Sequence, residues 1–572
     1  MTQKRRIGVF ICHCGGNISD YVDVAAVREA VSDMGEVAFA ETSMFACSDG
    51  TQQDMIRRIE EENLDGLVVA SCSPKLHLTT FRGVSRRAGL NPFQYTQVNI
   101  REQCSWAHTD DRVGATQKAT GLVRGAVART AQSSALVPLP VETTPASLVV
   151  GGGVTGLRAA IGLADLGLDV HLVERAEQLG GQVASLGATF PDQREGRAMI
   201  DELLSELDAR AHIAVHTEST ITAKSGSFGN YDVTLQGPNG QSVTTRVGSI
   251  VVATGAASYV PEPGEFGFGL AGVVTLEDFT RGIESHAGRL HFRGQPVRTV
   301  VYVYCVGSRQ ENGNEYCSKY CCSAAVHASV EAADLDPAVR QYHLYRDIRT
   351  YGRHELSYEA SRRRGSVYLK YADDDPPVVE MGEGGRLRVL TTDRLTESTP
   401  LQIDADVVVL VTGLVPQQNA ELTSLLHLPL GSDGFYSEIH PKLRPVETVV
   451  DGVLIAGTCQ APKTISESVA SGLAAVTQSG AMLMRGVAEL DPQVAVVDHD
   501  ACTWCGACAA VCPYEAISHQ VISARDVAVI DPTVCKGCGG CVSYCEAGAI
   551  DLLGNTDAQV RALIENLVEV RA

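Results

Sequence analysis

Two runs near the end of the chain, ACTWCGACAAVCP (501–513) and VCKGCGGCVSYC (534–545), both read C-x2-C-x2-C-x3-C, offset by 33 residues. Each is followed by a similar tail, YEAI and EAGAI. No other feature restricts the fold as tightly. A zinc site is satisfied by four ligands and has no use for a duplicated run whose last cysteine stands apart. A pair of iron–sulfur cubanes does: three closely spaced thiolates grip one cubane, and the fourth reaches across to the other. Cluster one then takes Cys502, Cys505, Cys508 and Cys545, and cluster two takes Cys535, Cys538, Cys541 and Cys512. The usual proline after the fourth cysteine is present as Pro513 but replaced by Glu546 in the second run.

This duplication is the pattern of two-cluster bacterial ferredoxins, so residues 493–555 read as an α+β 2[4Fe-4S] ferredoxin domain, followed by a carboxy-terminal helix over 556–572. The other ten of the 18 cysteines lie far upstream, in a chain of 572 residues that has room for several domains. Without a secretory signal, that many cysteines favour metal over disulfides. A net charge of −21 argues against nucleic acid or anionic lipid as a partner. The apolar run VVVLVTGLV (407–415) is too short for a membrane span and reads as a buried strand. The start, MTQKRRIGVFICHCGG, weakly resembles a twin-arginine export signal, but its apolar run is short and no small-residue cleavage site follows. It reads as a strand, and the expected location is cytoplasmic.

LVVGGGVTGLRAAIGLADLGLDVHLVER (148–175) is a strand, a glycine turn, a helix, a second strand and an acid. Gly151, Gly153 and Gly156 complete G-x-G-x-x-G, and Glu174 stands where ribose hydroxyls are bound. Three later stretches favour flavin: LGGQ (179–182), IVVATGAA (250–257) and GVLIAGTCQAPKTISESVASGLAAV (452–476). They resemble the flavin-contacting segments of two-dinucleotide-binding-domain flavoproteins such as thioredoxin reductase. The resemblance implies FAD, held by Gly151, Gly153, Gly156, Glu174, Arg175, Gly181, Gln182, Thr254, Gly255, Gly457, Thr458, Lys463 and Ser466. It also implies a helix amino terminus near the isoalloxazine, where its positive end favours the reduced anion. Lys463 is the candidate catalytic residue, as a positive charge near the ring; its plainer reading is a solvated loop lysine.

The FAD-binding domain is expected at 145–258 and 401–488, with a second Rossmann-like domain inserted at 259–400 whose first strand is TVVYVYCVGSR (299–309). A nicotinamide site needs another G-x-G-x-x-G after that strand, and the sequence has C-V-G-S. Cys305, Cys317, Cys321 and Cys322 crowd that place instead. A cluster uses all four, a Cys317–Cys321 dithiol or disulfide leaves two unexplained, and core packing is the third reading.

Residues 1–135 alternate short apolar strands (IGVFI, VAFA, GLVVA, YTQVNI) with helical stretches, a Rossmann-like α/β layout. Cys12, Cys14, Cys47, Cys72 and Cys104 follow these strands, at the edge where ligands gather. On the residues alone they are either a converging ligand set or small buried hydrophobes.

Taken together, ICHCGGN, CSP, NIREQCSW, CVGSRQENGNEYCSKYCC, AGTCQAPKTISES and the ferredoxin end resemble the flavin-bearing A component of heterodisulfide reductases over essentially the whole chain. The resemblance implies a [4Fe-4S] cluster on Cys305, Cys317, Cys321 and Cys322. It implies another on four of the five amino-terminal cysteines, with Cys12 and Cys14 the unresolved pair. It further implies an oxidoreductase component passing electrons between FAD and clusters, with electron bifurcation as one mode. The implied partners are the B and C subunits of a heterodisulfide reductase, an electron-donating dehydrogenase or hydrogenase subunit or a ferredoxin, and a second copy in a homodimer. Methanogen members carry a further ferredoxin-like domain after a TFP segment. Here GATFPDQREGR (187–197) lacks cysteine and FGNYDVTLQGPNG (228–240) runs on uninterrupted, a compact form missing one branch of the electron path. Two alternatives stand beside this: a self-contained flavin disulfide or sulfur oxidoreductase using Cys317 and Cys321 as a dithiol, and an NADPH oxidoreductase like the glutamate synthase small subunit, which the missing second glycine motif disfavours.

Overall fold

The structure, a computed structural model, describes residues 5–189, 194–396 and 398–568. Residues 190–193 of the TFP segment lie outside them. The chain divides into two compact units, Met1–Val141 with Glu489–Ala572, and Glu142–Ala488.

The first unit opens with β1 (Ile7–Cys12), α1 (Val24–Ser32), β2 (Val37–Ser43), α2 (Asp49–Glu61), β3 (Gly66–Ser71), α3 (Pro74–Arg87), β4 (Tyr95–Asn99) and α4 (Arg112–Ala131). The strands form a parallel sheet in the order β2-β1-β3-β4. IGVFIC and GLVVAS are buried at every residue, as inner strands of a sheet covered on both faces must be. Side-chain caps start the helices: Asp23 accepts from the Ala25 and Ala26 N–H groups, and Ser48 from that of Thr51. Parallel pairing turns all carboxyl ends one way, so Cys12, Cys47 and Cys72 arrive at the same edge.

The second unit contains two parallel sheets. The first uses β5 (Ala146–Val150), β6 (Asp169–Val173), β7 (Ile213–His216) and β8 (Ser249–Val252), with α5 (Val154–Asp165) between β5 and β6. The second uses β9 (Val273–Thr275), β10 (Thr299–Val306), β11 (Arg340–Tyr345), β12 (Val367–Lys370) and β13 (Val407–Thr412), with α6 (Cys321–Leu335) after β10. The chain then returns to the first sheet through β14 (Val453–Ile455), followed by α7 (Ile465–Leu483). The orders are β7-β6-β5-β8-β14 and β9-β13-β10-β11-β12, the expected pair of dinucleotide-type folds. The expected boundary at 400 is corrected: β13 pairs in parallel with β10 and so belongs to the inserted sheet. VVVLVT is buried at all six residues. A strand buried on both faces carries no alternation that would assign it to one sheet or the other.

The tail completes the first unit with β15 (Ala495–Val497), α8 (Ala507–Ala510), β16 (Ile517–Ile522), β17 (Arg525–Ile530), α9 (Gly540–Ser543), β18 (Ile550–Leu552) and α10 (Asp557–Val568). The pairs β16–β17 and β15–β18 are antiparallel. The carboxy-terminal helix packs on α4 so closely that a side chain at Gly125 would meet the Leu563 carbonyl at 3.0 Å. Arg82 reaches Asp491 (3.0 Å) and Gln493 (2.7 Å), and Arg129 donates to Gly554 O at 2.9 Å. The two ends of the chain are therefore one folding unit.

Candidate functional site

The glycine turn between β5 and α5 is built by exclusion. A Cβ on Gly156 would lie 1.8 Å from Gly151 O, and Gly151 itself has φ +109° with Ala253 O 2.4 Å from where its Cβ would stand. Gly153, by contrast, faces only the Gly181 backbone at 3.9 Å, which leaves the backbone approachable by a pyrophosphate. Glu174 accepts from the Gly152 N–H at 2.7 Å and the Ala176 N–H at 2.9 Å, which sets its carboxylate at the turn. Gly180 bonds back to Gly152 O at 2.8 Å, bringing Gly181 and Gln182 alongside. Gly457, after β14, sits against the Thr155 side chain, and a Cβ on Gly255 would lie 3.7 Å from the Thr458 hydroxyl. The Thr254 hydroxyl is buried without a partner, an orphan that a bound cofactor would satisfy. These residues fit FAD. Arg175 is exposed and donates to Gln417, and Ser466 contacts the Thr464 hydroxyl. Lys463 is no loose lysine: it donates to Gly457 O (3.0 Å) and Gln460 (2.9 Å), and burial pulls its pKa below the usual lysine range.

In the second sheet the carboxyl end of β10 is distorted where a nicotinamide turn would begin. Cys305 has φ +62° inside the strand and the register with β13 slips between Val303 and Val306, a bulge that re-aims the thiol. Arg309 (φ +56°) and Lys319 (φ +64°) share this left-handed conformation. Each costs about 1–2 kcal/mol in an L-residue, so the loop is held by its surroundings. Ser318, fully buried, accepts from the Leu414 N–H at 2.9 Å, and Tyr316 donates to Leu414 O at 3.0 Å. Cys321 and Cys322 open α6, where the helix dipole favours thiolates. Cys305, Cys317 and Cys322 all lie within electrostatic reach of Cys321. A hydrogen bond from Cys321, aided by the Arg349 N–H, holds Cys322 below the usual thiol pKa. Arg346 reaches toward Cys305 while tied to Ser308 O and Arg309 O.

The ferredoxin runs come together in the fold. One small pocket is lined by Cys535, Cys538, Cys541 and, from the other run, Cys512. The two halves also repeat their backbone strain: Trp504 and Glu515 take positive φ where the second half has Gly537 and Gly548. Amide N–H groups point at sulfur in both, Ala516 to Cys512 (3.4 Å) and Ala549 to Cys545 (3.2 Å). Such bonds stabilise charge on ligand sulfur. Cys512→Ala is therefore expected to remove the same EPR signal as Cys538→Ala. Removal of the signal that Cys505→Ala removes would instead show an uncrossed pair.

At the amino-terminal edge, Cys12 accepts N–H groups from Cys14 (3.2 Å) and Ala46 (3.3 Å). Arg101 donates to Cys14 at 3.6 Å. Burial pushes Cys72 up to about 11 against the pull of Arg101, with Cys14 and Cys47 also in reach. Cys104 is fully buried in the turn Arg101–Ser105, and burial pushes it up to about 11 against the pull of Lys118. The fold keeps Cys12 and Cys14 together.

All eighteen cysteines are free thiols. Among the described residues no three ligand side chains converge as one ion requires. A cubane asks for something else, since each of its thiolates binds a different iron. Sequence reasoning missed Arg101, Arg346, Lys319 and Glu467; Arg101 meets Cys14, Arg346 meets Asp373 and Lys319 meets Glu467 only through the fold.

Comparison with known proteins bears on these features. Residues 147–239 match the FAD dependent oxidoreductase family, and 495–546 the 4Fe-4S dicluster domain. The chain is 33% identical to the iron–sulfur A component of the CoB–CoM heterodisulfide reductase of Methanocaldococcus jannaschii, across 99% of this chain and 98% of that one. That alignment spans 651 positions, so the relative carries stretches this chain lacks. It is 32% identical to the second of two such A components in Methanopyrus kandleri (90% and 91% covered). It is also 32% identical to the A component of the H(2)/formate:CoB-CoM heterodisulfide,ferredoxin reductase of Methanococcus maripaludis (98% of each). Among solved structures, T. acidophilum thioredoxin reductase aligns with a TM-score of 0.41 at 17% identity, covering 59% of this chain and 97% of that one.

Proposed function

The chain belongs to the family of heterodisulfide reductase iron–sulfur A components, FAD- and [4Fe-4S]-containing oxidoreductases, and from this premise we propose that it is the electron-distributing member of a multi-subunit reductase whose disulfide-reducing site lies on a B-like partner served through a C-like one. One observation carries the reading. The carboxyl end of β10, where a nicotinamide turn would form, is occupied by four cysteines, none in a disulfide, on and just after a strained, pinned loop. On this reading the second dinucleotide-type fold has become a ligand cradle. When bound, FAD supplies exchange of one or two electrons and each cubane a single electron.

The residues of this chain position and tune those groups. Gly151, Gly153 and Gly156 admit the pyrophosphate, and Glu174 faces the ribose. Lys463 ties the Gly457 turn and brings its charge to that turn. Cys305, Cys317, Cys321 and Cys322 hold one cluster, with Arg346 opposing the negative charge of its thiolates. Four of Cys12, Cys14, Cys47, Cys72 and Cys104 would hold another, with Arg101 beside Cys14 in the same role, and the ferredoxin runs would hold two. The donor is a ferredoxin or the iron–sulfur subunit of a dehydrogenase or hydrogenase, met in the cytoplasm. No helix among the described residues is long and apolar enough to cross a membrane.

The test is iron per flavin in protein purified without oxygen. The ferredoxin end alone gives about 8, the Cys305 set raises this to about 12, and the amino-terminal set to about 16. A ratio near 16 is expected; a ratio near 8 would overturn the relay and return the Cys317–Cys321 dithiol enzyme.

A further inference from the structure

Lys319 lies between Cys317 and Cys321, and it bonds in two directions. Its backbone N–H donates to Cys317 Sγ at 3.3 Å. Its ammonium meets the Glu467 carboxylate, 148 residues along the chain. Glu467 in turn belongs to the first turn of α7: its Oε2 accepts the Thr464 N–H at 3.0 Å while Thr464 Oγ1 accepts the Glu467 N–H at 3.3 Å, a complete capping box. Tyr351 donates to the same carboxylate at 3.4 Å, and its ring lies 5.8 Å from the Lys319 ammonium. The α7 amino terminus follows the Gly457 turn, which packs on Thr155 beside the glycine-rich turn. A single ion pair thus spans from the backbone of a thiol loop to the helix end at the flavin site.

We propose that Lys319 and Glu467 are positioning residues that set the gap in reduction potential between the cluster on the Cys305–Cys322 thiols and the flavin, which rests on the cofactor reading above. Reduction adds negative charge at either centre. A nearby ammonium makes that addition easier and raises the midpoint potential; a nearby carboxylate makes it harder and lowers it. As a closed pair the two nearly cancel. With side chains 40% and 34% exposed, solvent screens them in part, so each single charge shifts the potential moderately. A merely structural link would behave differently, since breaking it from either side would have the same consequence.

The experiment is an anaerobic redox titration of the full chain, read by EPR for the cluster and by absorbance for the flavin, after iron and flavin are quantified. Lys319→Met, which leaves the carboxylate alone, is expected to lower the cluster midpoint. Glu467→Gln, which leaves the ammonium alone, is expected to raise it. The double variant should return near the wild-type value, and Lys319→Arg, which keeps the charge, should match wild type. If Lys319→Met loses its iron, Glu467→Gln carries the test alone, and a fall or no change in its cluster midpoint overturns the inference. Shifts of one sign, or none, at unchanged iron and flavin content would overturn the inference while leaving the cofactor reading intact. A wild-type chain without a cluster at these thiols would instead remove the premise, and the inference with it.

Discussion

Gly156→Val is expected to give a folded, iron-bearing chain that holds FAD at least a hundredfold more weakly, equivalent to about 3 kcal/mol. The reason lies in the fold before any ligand arrives. The new Cβ would sit 1.8 Å from Gly151 O, a backbone atom with no rotamer to escape into. Either α5 moves away from β5 or the turn opens. Overpacking of this kind costs about 1–3 kcal/mol, and an opened turn also misaligns the N–H groups that meet the pyrophosphate. Gly153→Ala makes the useful contrast. Its Cβ meets nothing of the protein closer than 3.9 Å, so its stability should be unchanged while the methyl intrudes on the ligand. Flavin released by acid, set against iron and circular dichroism, separates the two cases. Stoichiometric FAD in Gly156→Val would sink the assignment of this turn.

Cys317→Ser combined with Cys321→Ser is expected to lower iron by about 4 per FAD and leave the ferredoxin EPR signals in place. Two hydroxyls do not replace two thiolates in a four-ligand site, and the remaining Cys305 and Cys322 cannot hold a cubane. The ferredoxin clusters belong to the other compact unit, with their own cavity and their own amide-to-sulfur bonds, so they should not respond. The fold should also survive, because the loop is pinned by Ser318 and Tyr316 rather than by the thiols. Unchanged iron in the variant would mean that these cysteines are not cluster ligands.

Both predictions concern features that were legible in the sequence, for a common reason. A glycine turn is dictated by clashes among residues a few positions apart, and a cubane corner by thiols two or three positions apart. Such constraints act within a short stretch and leave their mark on its spacing. The membership of β13 was not legible in the same way, because an apolar strand buried on both faces pairs equally well on paper with either sheet. Nor was the full burial of Cys104: all five amino-terminal cysteines follow strands, and only the fold shows the tight turn Arg101–Ser105 enclosing it.

Short-range spacing therefore carries the inventory: two ferredoxin cysteine runs, an FAD turn, and four thiols in place of a nicotinamide turn. How the parts are joined came from the fold. It brought the first 141 residues and the last 84 into one unit through α4 and α10. It closed the pair between Lys319 and Glu467 across 148 residues. Spacing records what neighbours along the chain must do to one another, whereas contacts between distant segments follow from burying whole faces and leave no periodicity to read.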